Sequence, residues 1–522
     1  MRNVLFRTTS GRVPLPLGYH APRDKKSNVW KNQRFRALRT SGMMRVMLKD
    51  VIPFGQMQKY RSAEGRLPQS ISTFISFIEN RLGGHFFYDV EQIPYGRTDI
   101  VDLFDLALLL ESRGVIKNFS KRPDVPDEPR MRVWAAEYVT KSAETAGGLS
   151  GNDDRAALTA TLAEALERHL WHEAEDYFRA PFKATAAAAA RRNVLSPSRF
   201  VGFSDEQRQA DKKISLSDSA EYLWIRGHSW ISNAPIYIPA QIVSACHMRE
   251  GGEPIIRNPI TTGLATWPTR EGAILSGALE VIERDAFMIM WLNQLVLPRI
   301  AWTELRHLNS SLDALLRTCA RYRLEVRLLS LITDAPASIA CVVVLDRSSV
   351  GPPLTIGLKA SVSLSQAAEG ALLEALRARR LVRERKVEDV AGMKPKHIGH
   401  FDRLPYWSEK SRHARLAALF SGTELPSPPS APWERDSREK HLQRIIDWCR
   451  TVGYELVSVN LGRSRKNPTP WKVEMVVMPD LQPMHLSERY QYLDGSRLQA
   501  IPQMFGYAAR TAPFFEEPHP FV

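Results

Sequence analysis

Cysteine is scarce in this chain. Four residues in 522, Cys246, Cys319, Cys341 and Cys449, lie far apart. There is no CxxC pair and no Cys/His cluster at zinc-ligand spacing, which argues against a structural zinc module and a disulfide framework. Buried free thiols in a reducing cytoplasm are the expectation. No run of about 18 apolar residues exists, so no transmembrane helix is expected. The first residues, MRNVLFRTTSGRVPLPLG, contain basic groups but no apolar stretch, so they do not read as a secretory signal. No repeat of roughly 20–50 residues is present, which removes solenoids and propellers.

What is present is a core and a charge imbalance. Apolar residues make up 44 % of the chain and charged residues 25 %, as in an ordinary soluble globular protein. The formal charge is +14. Residues 1–60 hold 13 Lys and Arg against two acids, Asp24 and Asp50, so most of the surplus sits in one basic arm. Such an arm attracts nucleic acid, membrane surfaces or acidic partners. The basic residues are scattered, without RGG or interleaved aromatics, so a solvated arm is favoured over nucleic-acid binding.

Patterning divides the rest. The runs ISTFISFIENRL (71–82) and DIVDLFDLALLLESRGVI (99–116) carry apolar residues at helical spacing, and Gly114 follows as a C-cap. Residues 61–128 therefore read as a mainly helical region, either a winged-helix-like docking unit or a cap on the main domain. KRPDVPDEPR (121–130), with three prolines among charges, reads as a linker. From MRVWAAEYV onward, strands alternate with helices, which predicts an α+β (α/β-like) domain over 129–522. Strands are expected at 220–244, with a turn at Asn233, at 338–347 and within 454–479. AAAAA (186–190) predicts a helix and PSPPSAP (426–432) a loop.

One short pattern recurs. TLAEALER (161–168) and SGALEVIER (276–284) both contain Glu-x-x-Glu-Arg. Positions three and four apart share a helical face, so Glu164 and Glu167 project together, as do Ser276, Glu280 and Glu283. Like charges on one face repel, and a divalent cation relieves the conflict. Mg²⁺ takes one or two carboxylates, waters and substrate phosphate oxygens. Arg168 and Arg284 are placed to add phosphate contacts. One such copy is an ordinary surface helix; two in one chain point to a facing pair.

The surroundings of the second copy carry a resemblance. SDSAEYLWIRGHSWISNAPIYIPAQIV (217–243) and NPITTGLATWPTREGAILSGALEVIERDAFMIMW (258–291) resemble the centre of the YcaO family, whose pattern is "SnGlAaG-t-eEAilhalLElvERDa". GGLSGNDDRAALTATLAEALER (147–168) resembles its first nucleotide motif and SLSQAAEGALLEALRAR (363–379) its third. VVMPDLQPMHLSERYQYLDGSRLQAIP (476–502) resembles its "vPGLqp…GRlydvP" block. The resemblance spans about 130–522 in the family's order. It implies a YcaO-type domain of mixed sheets and helices around a cleft for ATP and Mg²⁺. By motif match, Glu164, Glu167, Glu280, Glu283 and Glu374 hold metal. Ser276, Arg284, Arg168, Arg377, Arg379 and Arg497 contact nucleotide.

The chain ends EEPHPFV. Azoline-forming members of the family end in a similar Pro-rich tail, and the resemblance implies that Pro518, Pro520 and the terminal carboxylate of Val522 reach the active site. Prolines make such an arm extended and pre-organised. Three positions depart from the pattern: Leu149 for the Lys of "GGKG", Gly272 for the second Glu of "eEA", and Arg377 for the Gln of "EaaQsR". The expected activity is ATP-dependent cyclodehydration of Cys, Ser or Thr in a ribosomally made precursor peptide. Rivals are thioamide or amidine formation and a catalytically inactive scaffold binding peptide and nucleotide. The expected partners are the precursor peptide, a separate E1-like or leader-binding protein, a flavin-dependent azoline dehydrogenase and a second copy of the chain; no membrane partner is expected.

Overall fold

Residues 132–138 and 144–150 form the middle and edge strands of a three-stranded antiparallel sheet in the computed structural model. The structure describes residues 100–521 apart from 141–143, 152, 175–177, 179–180, 218, 251, 385–392, 400–401 and 463–466. The basic arm (1–60), the first part of the helical region (61–99) and Val522 lie outside the described residues. Helix α1 (Ile100–Ser112) ends near Gly114, whose φ of +72° suits a residue without Cβ. It leads into β1 (Ile116–Lys121), which pairs with β2 (Arg132–Tyr138), which pairs with β3 (Glu144–Ser150). Residues on both sides of the expected linker thus share one sheet. Past Lys121, which closes β1, the linker has no regular helix or strand, yet its Glu128 is buried.

Two further sheets follow. One has the order β4-β5-β13-β14-β7, with β6 on β5. Its strands are β4 (Phe182–Thr185), β5 (Glu221–Ser229), β6 (Ala234–Pro239), β7 (Leu264–Trp267), β13 (Val457–Asn460) and β14 (Lys472–Val477). The β5–β6 hairpin turns at Asn233, which takes a left-handed φ of +52°. The last sheet, β11-β10-β9-β8-β12, comprises β8 (Arg299–Ile300), β9 (Leu324–Ser330), β10 (Ser338–Asp346), β11 (Leu354–Ser361) and β12 (Glu424–Leu425). Only β8–β12 is parallel within it.

Long helices cover these sheets: α2 (Asp154–His172), α5 (Arg270–Asn293), α8 (Leu364–Glu384) and α11 (Arg438–Val452). Shorter ones are α3 (Ala186–Ala189), α4 (Asp205–Ala210), α6 (Thr303–Leu308), α7 (Ser310–Arg321), α9 (Arg403–Trp407), α10 (Lys410–Leu419) and α12 (Arg497–Met504). No helix among the described residues is long and apolar enough to cross a membrane.

Each of three helices seals a different hydrophobic core. The apolar stripe of α2, Ala157, Leu158, Leu162, Ala165 and Leu166, packs with Trp134, Ala136 and the β5–β13–β14 sheet. Strand β10, SIACVVVLD, is apolar on both faces. Its Ile339, Cys341, Val343 and Leu345 meet α5, and its Ala340, Val342 and Val344 meet α8. A strand covered by helices on both sides reads as a continuous apolar run. The helices approach the strands closely. A Cβ on Gly148 of β3 would stand 1.9 Å from Ala157 O of α2, and one on Gly357 of β11 2.0 Å from Ala371 O of α8.

Candidate active site

Asp153 caps α2 by accepting from Arg155 N, and the helix packs against β3. Glu164 Oε2 accepts from Gly147 N at 3.1 Å, and Glu167 Oε1 accepts from Thr266 N of β7 at 2.5 Å. Helix α5 begins behind Thr269, whose hydroxyl accepts from Gly272 N. It presents Glu280 to Gly263 N at 3.0 Å and Glu283 to Ala360 N of β11 at 2.6 Å. Helix α8 presents Glu374 to Leu358 N of β11 at 2.7 Å.

Each of the five carboxylates is thus held by one backbone N–H of a neighbouring segment. Such bonds to a charged acceptor are short and directional, so they fix where the second oxygen points. Arginines close the ring. Arg284 Nη1 lies 2.7 Å from Glu283, and its Nη2 lies 3.4 Å from Glu280. Arg377 of α8 reaches back to Glu164 of α2 at 3.4 Å, and Arg168 lies 3.7 Å from the same carboxylate. Glu167, Glu280, Glu283 and Glu374 are thereby gathered with Glu164, Arg168, Arg284 and Arg377 at the junction of three helices.

The electrostatics are unbalanced. Burial, with Glu164 and Glu280 close by, pushes the Glu167 carboxyl up to about 8 despite Arg168. Burial, with Glu283 alongside, pushes Glu374 up to about 7 despite Arg284. Burial disfavours the Arg284 charge, but Glu283, Glu280 and Glu374 together outweigh it and hold the proton more firmly than usual. At Glu167 and Glu374, burial and like charge thus outweigh the neighbouring guanidinium groups. The donor set is all oxygen and anionic, which fits Mg²⁺ and the phosphates it carries.

Two arginines expected at the nucleotide are held elsewhere. Arg379 is buried, 2.9 Å from Glu128 and 3.0 Å from Asp346, so it ties α8 to the linker and β10. Arg497 is buried too. Its Nε and Nη2 fork onto Asp285 at 2.9 and 2.7 Å, and Nη2 also lies 2.7 Å from Asp334. These departures from the expectation have a common reason: each Arg faces buried carboxylates whose own desolvation demands a partner. Breaking such a pair costs about 3–5 kcal/mol. Ser276 is at the site's edge, where its hydroxyl accepts from Arg438 Nη2 at 2.8 Å.

The tail is seated. Pro518, His519, Pro520 and Phe521 are buried. Trp407 Nε1 donates to Pro518 O at 2.6 Å, and Trp291 Nε1 to Glu517 O at 3.3 Å. The Phe521 ring lies under Arg284, whose guanidinium carbon is 4.1 Å from the ring centre. The described end of the tail therefore touches an arginine of the carboxylate ring. His519, His485 and Glu488 place three metal-type donors within 4.8 Å of one another. Arg403 stands among them, 2.8 Å from Glu488 and 2.5 Å from His519, so the cation of that cluster is a guanidinium.

Sequence reasoning missed this anchor, Asp285 and Arg438. Asp285 sits inside the quoted "ERDA" block, and that position was its one signal. Glu488 and His519 lie inside the quoted 476–502 block and the tail, while Arg403 lies in no quoted motif, and nothing in the sequence pairs the three.

A family model described as YcaO cyclodehydratase, ATP- and Mg²⁺-binding, matches residues 150–482. Among solved structures, a heterocyclase in complex with substrate and cofactor superimposes with a TM-score of 0.64 at 18 % identity, covering 79 % of this chain. The chain spans 57 % of that heterocyclase's length. YcaO from Methanopyrus kandleri, bound with AMPPCP and Mg²⁺, gives a TM-score of 0.53 at 17 % identity, covering 74 % of this chain and 92 % of that one. A chain of the E. coli microcin synthetase McbBCD complex with pro-MccB17 bound gives 0.53 at 14 % identity, covering 77 % and 96 %. A search of the curated proteins found no match.

Proposed function

This chain belongs to the YcaO cyclodehydratase family, and from that premise we propose that it converts Cys, Ser or Thr of a ribosomally made precursor peptide into thiazoline or oxazoline, driven by ATP. The observation that carries the reading is the ring of five carboxylates, each pinned by a backbone N–H and linked by Arg284 and Arg377. Phosphoryl transfer asks a protein for positioning and charge neutralisation more than for a nucleophile of its own.

The peptide's side-chain thiol or hydroxyl attacks the preceding backbone carbonyl carbon. The carbonyl oxygen takes the γ-phosphoryl group of ATP and departs as phosphate, leaving a C=N bond. The peptide has then lost one water, and ATP has become ADP and phosphate. Glu164, Glu167, Glu280, Glu283 and Glu374 are assigned to holding Mg²⁺, which when bound neutralises the phosphates. Arg284, Arg377 and Arg168 face phosphate oxygens, and Ser276 borders the nucleotide. Arg379 and Arg497 stabilise the helices that carry these groups.

Val522, with Pro518 and Pro520 of the tail, is assigned to supply the base for the attacking group. The seating of Phe521 on Arg284 supports that assignment. A separate E1-like or leader-binding protein delivers the peptide; the structure of McbBCD as a complex with pro-MccB17 bound is in keeping with such a division of labour. A flavin-dependent dehydrogenase, oxidising azoline to azole, is a further component. The basic arm and the helical region ahead of residue 129 serve docking, the chain works in the cytoplasm, and a homodimer is its proposed assembly.

The test is intact mass of the precursor peptide after incubation with the chain, its partner, ATP and Mg²⁺. A loss of about 18 Da per modified residue, absent when Glu280→Gln and Glu283→Gln are combined, is expected. A gain of about 16 Da with added sulfide would replace this reading with thioamidation. No change in mass with nucleotide bound would leave a scaffold.

A further inference from the structure

At the N-terminal end of α5 the family pattern has an acidic side chain where this chain has Gly272. The place is taken. A Cβ on Gly272 would meet Trp267 Cδ1 at 1.9 Å, so the indole lies flat against the helix backbone. The Arg438 guanidinium stacks on that indole, 3.9 Å from its ring centre. From there Arg438 Nη2 donates to Gly272 O at 3.1 Å and to Ser276 Oγ at 2.8 Å. Glycine, indole and guanidinium thus pack as one unit.

The unit exchanges one sign of charge for the other at the edge of the carboxylate ring. Ser276 and Glu280 are four residues apart on α5 and share a face, so Arg438 stands about one helical turn from Glu280. Its position is also costly on its own helix. Arg438 is the first residue of α11, just after the Ser437 cap. A cation there meets the positive end of the helix dipole, where an anion would be favoured. Stacking on Trp267 orients the planar fork, and such a fork matches phosphate oxygens.

We propose that Arg438 is a nucleotide-binding residue of this chain, presenting positive charge to the polyphosphate at the corner where the family pattern places a carboxylate. This rests on the ATP-dependent reading above and deepens it. The corner then neutralises phosphate charge directly with an arginine instead of through a carboxylate-held cation. Trp267 and Gly272 are its supports.

Calorimetric titration of the full chain, with Mg²⁺ and either a non-hydrolysable ATP analogue or adenosine, tests it. Arg438→Gln should weaken the triphosphate about tenfold or more and leave adenosine within about twofold, a contrast that a disordered site would not produce. Arg438→Lys should lose an intermediate amount, and it stands in if the Gln variant fails to fold. Equal losses for both ligands, or no loss for either, would overturn the assignment. Binding is read without turnover, so the two readings separate. A wild-type chain that binds triphosphate selectively through Arg438 but forms no ring would refute cyclodehydration alone. A ring-forming wild type whose Arg438 variants bind normally would refute the Arg438 assignment alone.

Discussion

Glu167 and Glu374 hold their protons in the folded chain to about pH 8 and 7, against an ordinary carboxyl value of 4.5. The folded state therefore binds more protons than the unfolded one across that window, so these groups make stability fall as pH rises from about 4.5 to 8. The cause is burial first, then like charge. A bound divalent cation removes both penalties on the ionised form. Melting of the ligand-free chain should thus show a temperature that drops between pH 5 and 8.5. The drop should shrink in Glu167→Gln and in wild type saturated with Mg²⁺ and nucleotide. A profile identical in wild type and Glu167→Gln would show that this carboxyl is ionised throughout. At the same scale, arginine is where sequence and structure diverge. Arg377, Arg379 and Arg497 look alike in a motif, and only tertiary packing shows that Arg377 meets the ring while the other two meet Glu128, Asp346 and Asp285.

The helices were legible as elements because charge on an otherwise apolar 3.6-residue stripe stands out. Leu158, Leu162 and Leu166 mark the buried side of α2, so the placement of Glu164 and Glu167 followed from spacing. Strand β10 and the β5–β6 hairpin were equally plain. What spacing cannot supply is the partner across the fold: the N–H groups of Thr266, Leu358 and Ala360 belong to strands far away in sequence. The tail is an element of the same kind. Its prolines announced an extended arm, but its anchor of Arg403, His485 and Glu488 is assembled only by folding. Deleting residues 518–522 should abolish ring formation while nucleotide binding survives, read by peptide mass and by calorimetry. Ring formation at the wild-type rate would show that the tail is only an anchor.

On the scale of the whole molecule, the carboxylate ring belongs to no single core. Glu164 and Glu167 ride on the helix of one, Glu280 and Glu283 on that of a second, and Glu374 on that of a third. A ligand held by all five is bonded to helices that pack on three different hydrophobic cores. Amide hydrogen exchange should therefore slow in α2, α5 and α8 together when Mg²⁺ and a non-hydrolysable nucleotide are added. Slowing confined to one helix would mean that the ring is not engaged as a unit.

The same arrangement has a reciprocal side. Binding free energy that joins three helices is shared with the core contacts that keep each of them in place, and linkage makes the exchange symmetrical. A cavity opened beneath α8, at Leu372 for instance, loosens Glu374 without touching it. Affinity for nucleotide then becomes a gauge of how well three adjoining interiors are packed.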